Sequence, residues 1–149
     1  MPHAFQRAPY LVSTDPTQLD LDLIHRFLAH DSYWARGISR ALVERSIAHS
    51  LNFGLYRDQS QIGFARVVTD YATYGYLNDV FVLPAHRGQG LGVWLLECVV
   101  AHPGLQTLLR FGLATRDAQA LYQKVGFTAL VYPERHMERL PPDYYSKPG

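Results

Sequence analysis

The sequence predicts one mixed α/β domain over residues 1–149: a mostly antiparallel central sheet with helices on both faces. Three observations predict it. Apolar residues recur at helical spacing in four segments and at alternate positions in the segments between them. Hydrophobic residues make up 48% of the 149 and charged residues 18%, enough apolar material for one core. The segments follow one another as β-α-α-β-β-β-α-β-α-β-β, an order that builds a mixed sheet with flanking helices.

Tyr10–Ser13 reads as a first short strand. Asp15-Pro16-Thr17-Gln18 reads as a helix start, with Asp15 as cap and Pro16 in the first position. Leu19, Leu23 and Phe27, flanked by Ile24 and Leu28, mark its apolar face, and the helix is expected to end near His30. A second helix fits Ser39 to Ser50, with Leu42, Val43 and Ile47 inward. From Asn52 the period changes to two. Phe53 and Leu55 alternate with polar or small neighbours, Arg57–Ser60 turns, and Ile62, Phe64, Val67 and Val68 return. Tyr74–Leu83 is a further strand, stopped by Pro84. Gly90–His102 is helical, and Pro103-Gly104 ends it. Thr107–Leu113 is a strand, and Asp117–Lys124 a short helix closed by Gly126 as a left-handed cap. Phe127–Leu130 and Met137–Leu140 are expected to close the sheet. Pro141–Gly149 is expected to be an irregular tail, with Tyr144 and Tyr145 as anchors.

Composition narrows the function. Fourteen Lys and Arg against thirteen Asp and Glu give a formal charge of +1, without the basic excess of a duplex-nucleic-acid binder. The single cysteine, Cys98, excludes an internal disulfide and a Cys-based zinc site. No HExxH is present, so no metal is expected. No apolar run approaches the roughly 20 residues of a membrane span. No signal peptide is visible at the start, and a cytoplasmic protein is expected. Exposed strand edges and the aromatic tail are compatible with a homodimer.

The most informative segment is Arg87-Gly88-Gln89-Gly90-Leu91-Gly92-Val93, between a predicted strand and a predicted helix. Glycines at 88, 90 and 92 allow close backbone approach. Amide donors at a helix start, with the helix dipole, suit a phosphate or diphosphate. The competing explanation is a tight turn whose glycines serve packing alone. The pattern is neither a P-loop, which needs Gly-Lys-Ser/Thr, nor the GxGxxG dinucleotide fingerprint.

Downstream lies Thr115-Arg116-Asp117-Ala118-Gln119-Ala120-Leu121-Tyr122-Gln123-Lys124-Val125-Gly126-Phe127. Together the two segments resemble the GNAT superfamily of acetyl-CoA-dependent N-acetyltransferases. Arg87, Gly90 and Gly92 match the superfamily's diphosphate motif. Tyr122, Gly126 and Phe127 match its next helix and turn, while Asp117 stands near a position that is commonly Asn. The resemblance covers about residues 74–130.

The resemblance implies an acyl-CoA N-acyltransferase-like fold and acetyl-CoA as co-substrate. It implies that residues Arg87 to Val93 hold the diphosphate, and that backbone groups of Phe81 and Val82, with Asp117, meet the pantetheine arm. Tyr122 is implied to lie near the sulfur as an acid. A phenol with an ordinary pKa near 10 retains a proton to donate at neutral pH; a helix tyrosine packed on the sheet is the bland alternative. Asp79, a carboxylate in an apolar strand, reads either as functional, taking the amine's proton or holding an ammonium substrate, or as structural, capping a neighbouring loop or pairing with Arg66. His86, Glu97 and a water relay are further candidates for the base. Tyr33 and Trp34 read as a wall of the acceptor pocket or as a satellite cluster. Tyr76, with Tyr71 and Tyr74, lines either the acceptor side or the core.

No nucleophile elbow occurs, so direct attack by a primary amine of a small molecule is expected, in a ternary complex. A non-catalytic acyl-CoA sensor, a protein N-terminal or lysine acetyltransferase, and a purely structural interaction domain are the rivals.

Overall fold

The structure, a computed structural model, describes residues 2–142. Tyr144 and Tyr145 lie outside the described residues. Six strands form one sheet in chain order: β1 (Ala4–Arg7), β2 (Tyr10–Ser13), β3 (Leu51–Arg57), β4 (Ser60–Thr69), β5 (Tyr74–Val82) and β6 (Arg110–Gly112). The first five pair antiparallel and β5 pairs parallel with β6. The parallel step needs a crossover, supplied by α3 (Leu91–Ala101).

Alternation on the strands splits the core in two. Val12, Phe53, Leu55, Ala65, Val67 and Leu77 point to one face, where Leu95, Leu96 and Val99 of α3 cover them. Phe64 and Phe81 point to the other, where α1 (Leu21–Arg26), the turn that follows it and α2 (Arg40–Ala48) close over them with Ile24, Leu28, Val43 and Ile47. Phe27 stacks on Phe81 with ring centroids 4.0 Å apart. The fold is the mixed, mostly antiparallel α/β architecture that the sequence predicts.

Four boundaries differ. β1 precedes the first predicted strand. The helix expected from Pro16 to His30 is broken: Asp15 caps a single turn over Pro16–Gln18, and Asp20 starts α1 by accepting from the Leu23 amide at 3.0 Å. After Arg26 the chain widens into a π-helical turn, Phe27–Asp31, a local feature often found near sites. The strand expected at Thr107–Leu113 shrinks to Arg110–Gly112.

The closing strands Phe127–Leu130 and Met137–Leu140 are absent among the described residues. Phe127 packs against Phe111 and Tyr122 instead. Val131 and Met137 are 79% and 97% exposed, so no buried face pins a strand register there. No helix among the described residues is long and apolar enough to cross a membrane.

Candidate active site

The glycine turn adopts the shape that its composition requires. Gly88 and Gly90 have φ of +81° and +77°, backbone that a β-carbon disfavours. Gly90 caps α3 with no side-chain hydrogen bond. The first amides of α3 therefore have no partner from their own helix or from a capping side chain. Arg87 folds back, its Nε donating to the Val82 carbonyl at 2.8 Å, so it braces the turn against the strand end. Gln89 Oε1 accepts from the Tyr10 hydroxyl at 3.0 Å, tying the turn to β2. Gly92 lies between Val82 and Leu121, where a β-carbon would make ordinary contacts at 4.0 and 3.9 Å.

Below this turn the sheet opens. β5 and β6 pair only from Tyr74 to Tyr76 against Arg110 to Gly112. From Leu77 to Val82 the β6-facing edge of β5 has no strand beside it among the described residues. The Phe81 ring is buried in the α1 core and its carbonyl lies against Gly63 of β4. The crevice thus joins the strand edge left open by β6, with the Val82 carbonyl held by Arg87, to an uncapped helix start.

Tyr122, on the short helix α4 (Gln119–Gln123), is half-buried and packs edge-on to Phe127. Burial pushes its phenol up to about 12, with the nearby Tyr33 phenol adding to the rise. It therefore keeps its proton throughout the neutral range. Asp117 precedes α4, exposed, 3.8 Å from the Arg116 guanidinium.

Asp79 has φ +56°, unusual for a residue other than glycine. The register explains it. Phe64 pairs with Phe81 and Arg66 with Asn78, so two steps on β4 face three on β5. Asp79 and Val80 form a β-bulge. The carboxylate is engaged twice: Oδ2 accepts from Arg66 Nε at 2.8 Å and Oδ1 from the Trp34 indole at 2.8 Å. Arg66 and Asp79 side chains are only 14% and 11% exposed. Of the two readings open for Asp79, the pair with Arg66 is present.

Tyr33 and Trp34 meet edge-on beside the crevice. The Tyr33 hydroxyl accepts from the Arg116 amide at 2.9 Å, and the Arg116 guanidinium lies 3.9 Å over the Tyr33 ring. Tyr76 is half-buried, at the last residue of β5 that pairs with β6, whereas Tyr71 and Tyr74 are exposed near the β4–β5 turn. His86 sits on the turn after β5, and Glu97 is exposed on α3. Cys98 is buried, which pushes its thiol up to about 12. Among the described residues, no group of three or more His, Cys, Asp or Glu is placed to hold a metal.

Residues 48–129 match the family described as the acetyltransferase (GNAT) domain, more than half of the chain. The chain belongs to the GNAT acetyltransferase family. A Gibberella zeae protein described as a candidate acetyltransferase is 36% identical over 143 residues, covering 83% of this chain and 81% of its own. A crystal structure from Xanthomonas campestris pv. campestris, described as a candidate GNAT acetyltransferase, is 52% identical with a TM-score of 0.87, covering 99% of both chains. A Clostridium acetobutylicum structure described with acetyl-CoA is 16% identical with a TM-score of 0.64, covering 94% of this chain and 96% of its own, and speaks for the fold alone.

Within this GNAT fold, the glycine turn enters α3 and Tyr122 lies on the short helix, as the sequence predicts, whereas the contacts of Arg116 and the bulge were not predicted. One local signal existed: Asn78-Asp79 in mid-strand, two residue types that tolerate left-handed backbone.

Proposed function

We propose that this GNAT acetyltransferase moves the acetyl group of acetyl-CoA onto a primary amine of a small molecule by direct attack. One observation carries the reading: the open edge of β5 from Leu77 to Val82 runs into the uncapped start of α3, with Tyr122 on the facing helix. Acetyl-CoA supplies an activated thioester.

The amides of Leu91, Gly92 and Val93, with Gly88 to Gly90 of the turn, face its diphosphate. Arg87 holds the turn to Val82 and keeps the amides aligned. Backbone groups of Phe81 and Val82 take the pantetheine arm, with Asp117 at its flank. An N–H on the same edge withdraws charge from the thioester oxygen. Tyr122 donates toward the leaving sulfur as the C–S bond breaks. The amine's proton goes to water, and Asp79 is held by Arg66 and Trp34. Tyr33, Trp34 and Tyr76 border the amine.

Calorimetry with acetyl-CoA is the first test, and no heat of binding would sink the reading. Thiol release over a panel of amines is the second. Binding without release for any amine or peptide would favour the sensor. Tyr122→Phe is expected to slow turnover by about 10- to 100-fold, with acetyl-CoA affinity within about twofold. A phenol held near 12 also predicts that no alkaline loss of activity below about pH 10 comes from Tyr122. The pH profile of Tyr122→Phe should keep the wild-type shape there.

A further inference from the structure

We propose that Asp79 is a positioning residue: it ties Trp34 and Arg66 to the β5 bulge and thereby sets the strand edge that receives the pantetheine arm. The inference rests on the thioester reading above.

A non-glycine residue in left-handed backbone persists only where its surroundings over-determine it. Here they do so from two directions. Arg66, on β4, reaches Asp79 Oδ2 with Nε and the Ser50 hydroxyl with Nη1 at 3.0 Å. Ser50 in turn donates to the Ser46 carbonyl at 2.6 Å, so the tie ends on α2. Trp34 reaches Oδ1 from the loop after the π-helical turn. That loop is itself held: the Ser32 hydroxyl donates to the Leu28 carbonyl at 2.6 Å and accepts from the Ala35 amide at 3.1 Å, while the Gly37 amide donates to Ala29. Its other aromatic, Tyr33, is fixed to Arg116 beyond β6. The Tyr33–Trp34 pair therefore spans the crevice, with one ring bound to each lip.

The geometric consequence falls on β5. The bulge ends at Val80, one residue before Phe81 and two before Val82, so releasing Asp79 lets the extra residue relax and shifts the strand end. A base would touch only the amine, and its removal would leave the affinity for acetyl-CoA unchanged. A positioning residue predicts the opposite.

The test is the dissociation constant of acetyl-CoA, by calorimetry on the full chain, for wild type, Asp79→Ala, Asp79→Asn and Trp34→Phe. Asp79→Ala is expected to weaken binding about tenfold or more. Asp79→Asn tolerates the same backbone and keeps an acceptor, and it is expected to stay within about threefold of wild type. Trp34→Phe loses only the N–H donor and is expected to weaken binding roughly three- to fivefold. A folded Asp79→Ala chain within about twofold of wild type would overturn the proposal, as would Asn failing to rescue. Removing one partner of a buried ion pair is strongly destabilising. If circular dichroism shows Asp79→Ala unfolded, Trp34→Phe decides, and an unchanged constant overturns the proposal. No binding by wild type would overturn the thioester reading and this inference with it. Binding by wild type with indifferent variants overturns the tie alone.

Discussion

Strand β5 has two different neighbours. Toward β4 it is paired along most of its length, interrupted by one bulge that Arg66 pins. Toward β6 it is paired for three residues and then left open. A strand edge without a partner invites association with another chain. Here the opening lies between the last two strands of the sheet, within the same molecule, where a narrow ligand fits and a second strand does not. The rigid side permits the open one: backbone groups stay exposed at fixed positions because the opposite ladder and two apolar clusters hold them.

The contrast is broken most severely on the rigid side. Phe64 is fully buried on β4, opposite Phe81 in register, with ring centroids 6.0 Å apart. Phe64→Ala is expected to destabilise the fold by about 3–5 kcal/mol in urea or thermal unfolding. A loss below about 1 kcal/mol would mean that this side is not the rigid one.

Gly63 is next. A β-carbon there would lie 2.8 Å from the Phe81 carbonyl oxygen, which is main chain and cannot swing away. Gly63→Ala is expected to lower stability by about 1–3 kcal/mol, because the Phe81 carbonyl it displaces lies in the β4–β5 ladder. Gly90→Val acts on the open side instead. Its φ of +77° is strained for a β-branched residue, so the cradle distorts. Acetyl-CoA affinity should fall at least about tenfold, with about 1–2 kcal/mol lost in stability.

Acid sharpens the contrast further. Burial and the neighbouring His3 lower the pKa of His102, which sits edge-on to Phe53 of β3. The unfolded chain then binds the proton that the folded chain refuses. Stability is therefore highest above the ordinary histidine pKa of about 6.5 and declines as pH falls below it. Thermal midpoints from pH 8 to pH 5 should fall, and His102→Gln should flatten the fall.

The smallest effect lies beside the open side. Leu109, just before β6, is 86% exposed, and Leu109→Ser should change stability by no more than about 0.5 kcal/mol.

Residues that act through their own backbone were readable without coordinates. Gly88 and Gly90 announce a turn of close backbone approach, Gly126 a left-handed helix cap, here with φ +98°, and Ser39 the start of α2. The apolar periods at Ile24–Leu28 and Leu91–Val99 placed two covering helices. These signals are local, so a few neighbouring residues contain them whole. Tertiary contact decided the rest. Trp34 and Asp79 are 45 positions apart, Tyr33 and Arg116 are 83, and no spacing rule connects them. Asp79 reads from the sequence as a base or an ion-pair partner, and only the fold places Arg66 2.8 Å from it. Phe127–Leu130 has the composition of a strand but no paired edge or buried face to make it one. Local backbone preference travels with the residue, whereas pairing and burial belong to whatever the rest of the chain brings alongside.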